Sequence, residues 1–163
     1  MDENEYRAIY RTMNPFACPF QKAVLARRCE CEYLRHLHIA EREGAACRLP
    51  SARETCVKFL DLLRRNARFA LHLVASPTVA LPHGKEIKVQ AGGLRGLASA
   101  MTGTTTSKDS AKIENVHALI RDALEMYGDM ERFPYQEIVK EIAHFEGRAS
   151  RRRRQDGEKD RSE

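Results

Sequence analysis

A chain of 163 residues and 18.6 kDa is long enough for one domain with an apolar core of its own. With 42% hydrophobic and 31% charged residues it is not a collagen, a disulfide mini-protein or a wholly disordered chain, and it has no apolar run of about 18 residues that would span a membrane. The net charge is +5, but residues 148–163 hold seven basic and four acidic side chains, so that end contributes +3 and the rest of the chain only +2.

The opening residues, Met1-Asp2-Glu3-Asn4-Glu5, are acidic and lack the apolar segment of a secretory signal, so a cytoplasmic protein is expected. Residues 2–13 predict a first helix with Tyr6, Ile9, Tyr10 and Met13 on one face, stopped by Asn14-Pro15. A second helix is expected from Pro19, with Phe20, Ala23, Val24, Leu34, Leu37 and Ile39 as its apolar positions and Gly44 at its end. Ser51-Ala52-Arg53-Glu54 has the form of a capping box, and Leu60, Leu63, Ala67, Ala70, Leu71 and Val74 continue it as a third helix. Together these predict an antiparallel helical hairpin over 15–75, joined by a loop at 44–50.

Beyond Ser76-Pro77, residues 78–90 read as a small β-hairpin, with Pro82-His83-Gly84 as the turn and Ile87 and Val89 alternating with polar residues. The run from Gly92 to Leu97 leads into a short apolar helix ending near Met101, and a polar, Thr-rich stretch follows to Ser110. A helix over 111–127 presents Ile113, Val116, Ile120, Leu124 and Tyr127, with Gly128 as its stop. Pro134 opens a last helix with Tyr135, Ile138, Ile142 and Phe145 inward and Gly147 at the end. The expected fold class is mainly α: a helical hairpin plus a C-terminal helix pair, with a small β-hairpin insertion. It forms one domain over 1–147, followed by a disordered tail of mixed charge over 148–163.

The chemical anomaly is the cysteines. Cys18, Cys29, Cys31, Cys47 and Cys56 all fall within 39 residues, and none follows. A reducing compartment does not preserve disulfides, and an odd number would leave one thiol over. The functional explanation is a soft metal centre, because thiolates are the ligands that zinc and iron–sulfur clusters need. The spacing C-x10-C-x-C-x15-C-x8-C is neither the paired C-x2-C of a zinc ribbon nor the bacterial ferredoxin run, which sets an iron–sulfur cluster ahead of zinc. Cys18-Pro19 and Cys56 fall at expected helix starts, where backbone N–H groups favour a thiolate. On one continuous helix, however, Cys29 and Cys31 would point about 200° apart, and Cys18 would lie roughly 16 Å along the axis from Cys29. Either the helix breaks near Cys29-Glu30-Cys31 or only part of the set ligates. Cys29, Cys31, Cys47 and Cys56 are the expected metal ligands, meeting at the loop end of the hairpin, with Cys18 the weakest member. The competing reading is that five small thiols fill a core, where cysteine is among the most buried residue types.

Other candidates are weaker. His36 and His38 would diverge on a helix. Glu141 and His144 have the E-x-x-H spacing of carboxylate-bridged di-iron bundles, but such a site needs two such motifs and two further glutamates brought together, and an exposed helix edge is the simpler reading. Lys88, Gly92, Gly93 and Arg95 form a possible anion site if the glycines make a loop ahead of a helix, although the P-loop ending is missing and a plain turn is the simpler reading. Arg151, Arg152, Arg153 and Arg154 can contact nucleic acid through phosphates, but no aromatic residue in the tail offers stacking, and a solvated tail is the simpler reading. No nucleophile motif supports a named reaction. The leading expectation is a small cytoplasmic iron–sulfur protein, with zinc as the alternative metal. It would serve electron transfer, redox sensing or metallocofactor assembly, with a redox protein or metalloprotein as partner. The alternative is a cofactor-free helical interaction module that binds nucleic acid or an acidic protein through its basic tail.

Overall fold

A computed structural model of the chain describes residues 2–71, 81–103 and 112–145. The expectations for Val74, for the first strand of the hairpin at 78–80, for most of the Thr-rich stretch, for Gly147 and for the tail lie outside the described residues.

Helix α1 (Glu3–Met13) starts where the Asp2 carboxylate accepts the N–H of Glu5 at 2.8 Å, and it ends at Asn14, before Pro15. The long second helix does not form. Helix α2 (Gln21–Leu25) has five residues, and Arg27, with φ 60°, lies beyond its end. The chain then builds strands β1 (Leu34–Ile39) and β2 (Arg42–Cys47), antiparallel from Leu34 opposite Cys47 to Ile39 opposite Arg42. Between them Ala40 (φ 49°) and Glu41 (φ 68°) form a two-residue turn with both residues left-handed, the geometry whose twist matches a hairpin. Neither residue favours that region, so no Asn-Gly or Asp-Gly signal marks the turn. The first arm of the expected helical hairpin is therefore a short helix and a β-hairpin.

Helix α3 (Pro50–Ala70) is the wall on which the core is built, burying Cys56, Phe59, Leu60, Leu63 and Ala67 along one side. Its start differs from the capping-box expectation. Leu49 is the cap, Pro50 takes the first helical position, and no side chain caps the end.

The expected hairpin at 78–90 is not seen in its described part, which is helical from His83 onward. Helix α4 (His83–Ile87) runs through a π-helical turn at Lys88–Gly92 directly into α5 (Gly93–Thr102). A buried polar chain explains the choice. Glu86, 4% exposed, accepts from Arg64 Nη2 at 2.6 Å and from Gln90 Nε2 at 2.9 Å, and Gln90 Oε1 accepts the N–H of Ala23 at 3.0 Å. Gln90 reaches Glu86 across four residues, which a helical backbone allows and an extended one does not. The network ties α2, α3, α4 and the π turn together.

Helix α6 (Val116–Tyr127) starts five residues later than expected, at an Asn115 cap that accepts from Ala118 N, and it ends at Gly128 with φ 82°. Helix α7 (Tyr135–His144) packs chiefly on α5 and α3 rather than on α6. Its approach to α5 is backbone to backbone. A Cβ added at Gly96 would lie 2.8 Å from Ile138 Cα, and one at Gly92 would lie 2.9 Å from Ile142 Cα. The protein is mainly α with one small β-hairpin, as its patterning predicts, but the hairpin lies at 34–47. Among the described residues no helix is long and apolar enough to cross a membrane.

Candidate metal centre

The five thiols come from four pieces of chain, and β2 organises them. On one edge β2 pairs with β1. Along its other edge runs the segment 16–18, in which Cys18 N–H donates to Ala45 O at 3.0 Å, Cys47 N–H donates to Phe16 O at 2.8 Å, and Ala17 faces Ala46. Side chains hold this segment in place. Asn14 Nδ2 donates to Ala45 O at 3.1 Å, Gln21 Oε1 accepts Ala45 N–H at 2.9 Å and the Tyr10 hydroxyl, and Arg53 Nε donates to Ala17 O at 2.9 Å.

Register then sets the faces. Cys18 lies opposite Ala45, and Ala45 and Cys47 are two residues apart on β2, so Cys18 and Cys47 are diagonal neighbours on one face. Cys47 also faces Leu34, whose N–H donates to Cys31 O at 3.1 Å, which brings Cys31 to the same end of the hairpin. Cys29 is stapled beside Ile113: Ile113 N–H donates to Arg28 O at 3.1 Å and Glu30 N–H donates to Ile113 O at 2.8 Å. The chain is extended there, and extended backbone directs residues i and i+2 to the same side, so the divergence expected of Cys29 and Cys31 on a helix does not apply. Cys56 enters from the buried face of α3, next to β2.

All five are free thiols. Cys29 is 1% exposed, Cys56 is buried, and Cys18, Cys31 and Cys47 are half-buried. Burial pushes Cys18 up to about 12, and the Cys31 and Cys47 thiols add to it, while Arg53 pulls the other way. Burial likewise pushes Cys56 up to about 12, with Cys18, Cys31 and Cys47 adding to it. Cys29 is raised in the same way by burial and then by Cys18, Cys31 and Cys56, opposed by Lys112. Each thiol thus sits within electrostatic reach of several others, and Cys18 acts on, or is acted on by, all four. The axial separation that made Cys18 the weakest candidate rested on a helix that stops at Leu25. Arg53 and Lys112, the cations bearing on the group, have no mark in the sequence beyond their charge.

The arrangement is a gathering of thiols rather than a closed single-ion cage. Among the described residues no three His, Cys, Asp or Glu side chains stand so as to hold one metal ion. Four sulfurs around one zinc would lie about 3.8 Å apart, as tetrahedral Zn–S bonds of about 2.3 Å require. A polynuclear iron–sulfur cluster binds each thiolate to a different iron and spreads its ligands wider. The donor set, all thiol with Cys29 and Cys56 buried and the other three half-buried, fits such a group in kind.

The remaining candidates separate from this centre. His36 and His38 lie exposed on β1, two residues apart and so on one face of a strand rather than diverging. His144 is exposed with Nδ1 on Lys140 O at 2.6 Å, and Glu141 lies on the edge of α7. The glycine loop of the anion site does not exist. Gly92 and Gly93 are buried inside the continuous helix, with their flanking space filled by Ile142 and Leu63, and Lys88 belongs to a groove with Lys22, Lys85 and Ile87. Arg151 to Arg154 lie outside the described residues. No protein-family model, no curated protein and no solved structure matches the chain.

Proposed function

We propose that the five cysteines bind an iron–sulfur cluster in preference to zinc, and that the protein serves electron transfer, redox sensing or assembly of another metalloprotein in a reducing, cytoplasmic setting. The observation that carries the reading is that the backbone pairing of β2 brings Cys18, Cys31 and Cys47 to one end of the hairpin, with Cys56 on the buried side of α3, which packs on β2, and Cys29 on the segment that carries Cys31, from positions up to 38 residues apart. Core filling alone needs no such convergence, since thiols used as small apolar residues have no reason to gather. Crowded buried thiols disfavour one another's ionised form, and a bound cation reverses that balance by deprotonating them outright. When bound, the cluster would supply one-electron chemistry. The chain supplies thiolate ligands on β2, α3 and the two flanking segments, and an apolar shell that limits water.

The test is anaerobic purification without chelator, followed by absorption spectroscopy and by iron, zinc and acid-labile sulfide analysis. Brown protein with iron and sulfide is the expected result. Cys18→Ala, Cys47→Ala and Cys56→Ala should each lose most of the iron while the helical circular dichroism persists. Folded, colourless protein without iron, zinc or sulfide would overturn the proposal.

A further inference from the structure

A groove of about 780 Å³ lies between α2 and α4, a size that suits a small-molecule site. Its floor is aliphatic, made by Leu25 and Ala26 at the end of α2, Pro82 at the cap of α4 and Ile87 within it. Lys22 stands on the α2 wall, and Lys85 and Lys88, three residues apart and so on one face, stand on the other. All three lysines are half-buried, whereas Ala26 and Pro82 are exposed and leave the groove open to solvent. No carboxylate lines it.

Neighbouring cations find acids, but those of the groove do not. Arg27, next to Ala26, pairs with Glu43, and Glu86, between Lys85 and Ile87 in the chain, turns inward to Arg64 at 2.6 Å. Among the described residues Lys22 and Lys88 have no ion pair, and Lys85 donates to the carbonyl of Leu71 at 3.0 Å. A lysine commonly rests its methylenes on apolar surface and sends its ammonium into water. Here three ammonium groups border one apolar floor without counter-charge, and the complementary occupant has an apolar body and an anionic head. The walls are fixed beforehand, because Gln90 holds the Ala23 N–H of α2 at 3.0 Å and Glu86 of α4 at 2.9 Å. Binding therefore orders little of the chain.

We infer that this groove is a binding site for an aliphatic carboxylate, with the acyl chain on the floor and the carboxylate among the lysines. The lining has no Phe, Tyr or Trp on which a nucleobase or an aromatic acid would stack, and no arginine, whose planar fork reads phosphate bidentately. Helix α2 has five residues, about 7.5 Å of wall, too short to seat the several turns with which an acidic amphipathic helix docks. The site is distinct from the cysteine centre and does not depend on it.

The experiment is isothermal titration calorimetry of the full, reduced chain with hexanoate, octanoate and decanoate, each below its micelle concentration and at constant ionic strength. Single-site binding is expected, tightening by about four- to fifteenfold with each two-carbon step as methylenes leave water. Decanol, the same chain without the charge, should bind about tenfold more weakly than decanoate. Lys22→Met combined with Lys88→Met keeps the apolar stems and breaks no ion pair, so its melting temperature should match the wild type while its decanoate affinity falls about tenfold. Ala26→Glu, at an exposed position, gives the lysines a carboxylate of the chain's own and should weaken decanoate to a similar degree. Lys140→Met, on α7, should bind as the wild type does. The inference is overturned by decanoate that does not saturate, by affinity indifferent to chain length, by equal binding of decanol, or by unchanged affinity in either groove variant. Tighter binding of decyl phosphate or of an acidic amphipathic peptide than of decanoate would also overturn it, giving the groove to a phosphate head or to a protein partner.

Discussion

Raising the pH tests whether the thiols are buried together and whether they carry metal. Cys18 and Cys56 titrate at about 12 in the folded chain against an ordinary 9.0, and Cys29 is raised in the same direction. A folded pKa above the unfolded one leaves stability intact below pH 9 and removes it as the pH climbs toward 12. At pH 10 each such thiol is ionised in the unfolded chain and neutral in the folded one, a difference of about 1.4 kcal/mol. Three thiols make about 4 kcal/mol, a large part of the stability of a typical domain. For a chain of this length that corresponds to a fall in melting temperature of roughly 8–16 °C between pH 7 and pH 10. Tyr10 and Tyr135, both raised mainly by burial, add a smaller fall common to every form of the protein. Melting curves of reduced, metal-free protein should show the large fall, and curves of metal-loaded protein should show only the smaller one, because its ligating thiolates have already lost their protons. A metal-free protein that melts alike at pH 7 and pH 10 would refute the burial argument. A loaded protein that falls as far as the metal-free one would refute ligation.

Two further outcomes follow from the packing. Gly96→Ala sets a Cβ against the backbone of Ile138 and should cost about 1–3 kcal/mol in urea unfolding, whereas Gly84→Ala, with nothing within 4 Å, should be neutral or gain up to about 1 kcal/mol in helix propensity. Equal effects at the two glycines would contradict the close approach of α5 and α7. Arg64→Met leaves the buried Glu86 carboxylate without its cation and should cost about 3–5 kcal/mol, while Glu86→Gln, which leaves the half-exposed Arg64 to water, should cost clearly less. If the Glu86 variant proves the more damaging in the same assay, the carboxylate is not the costly partner.

Much of the helical framework is legible in the order of the residues. Asp2 and Asn14-Pro15 bound α1, the repeat of Leu60, Leu63 and Ala67 marks the inner face of α3, and Gly128 and Pro134 punctuate the last two helices. These signals are local, a matter of period and cap, and each can be read within one or two turns. Two segments defeat such reading. Leu34 and Leu37 are spaced as on a helix, and the Ala40-Glu41 turn uses residues that carry no turn preference, so the β-hairpin is invisible until β2 is paired on both edges. Ile87 and Val89 alternate as in a strand, yet the ion pair of Glu86 with Arg64, 22 residues away, and the link from Gln90 to Ala23 make the segment helical.

The same division holds for the candidate site. The sequence by itself determined that five thiols lie close along the chain, which is the feature that raises soft-metal chemistry as a proposal for them. Only the tertiary structure decided that Cys18 lies beside Ala45 and Cys47 of β2, because the bonds joining residues 16–18 to that strand cross more than 25 residues. It also turned the expected glycine loop at Gly92 and Gly93 into buried helix packed against Ile142 and Leu63. Residue type sets which chemistry is available. Long-range pairing sets which side chains meet, and the free energy of that pairing is spread over contacts that no local window of sequence contains.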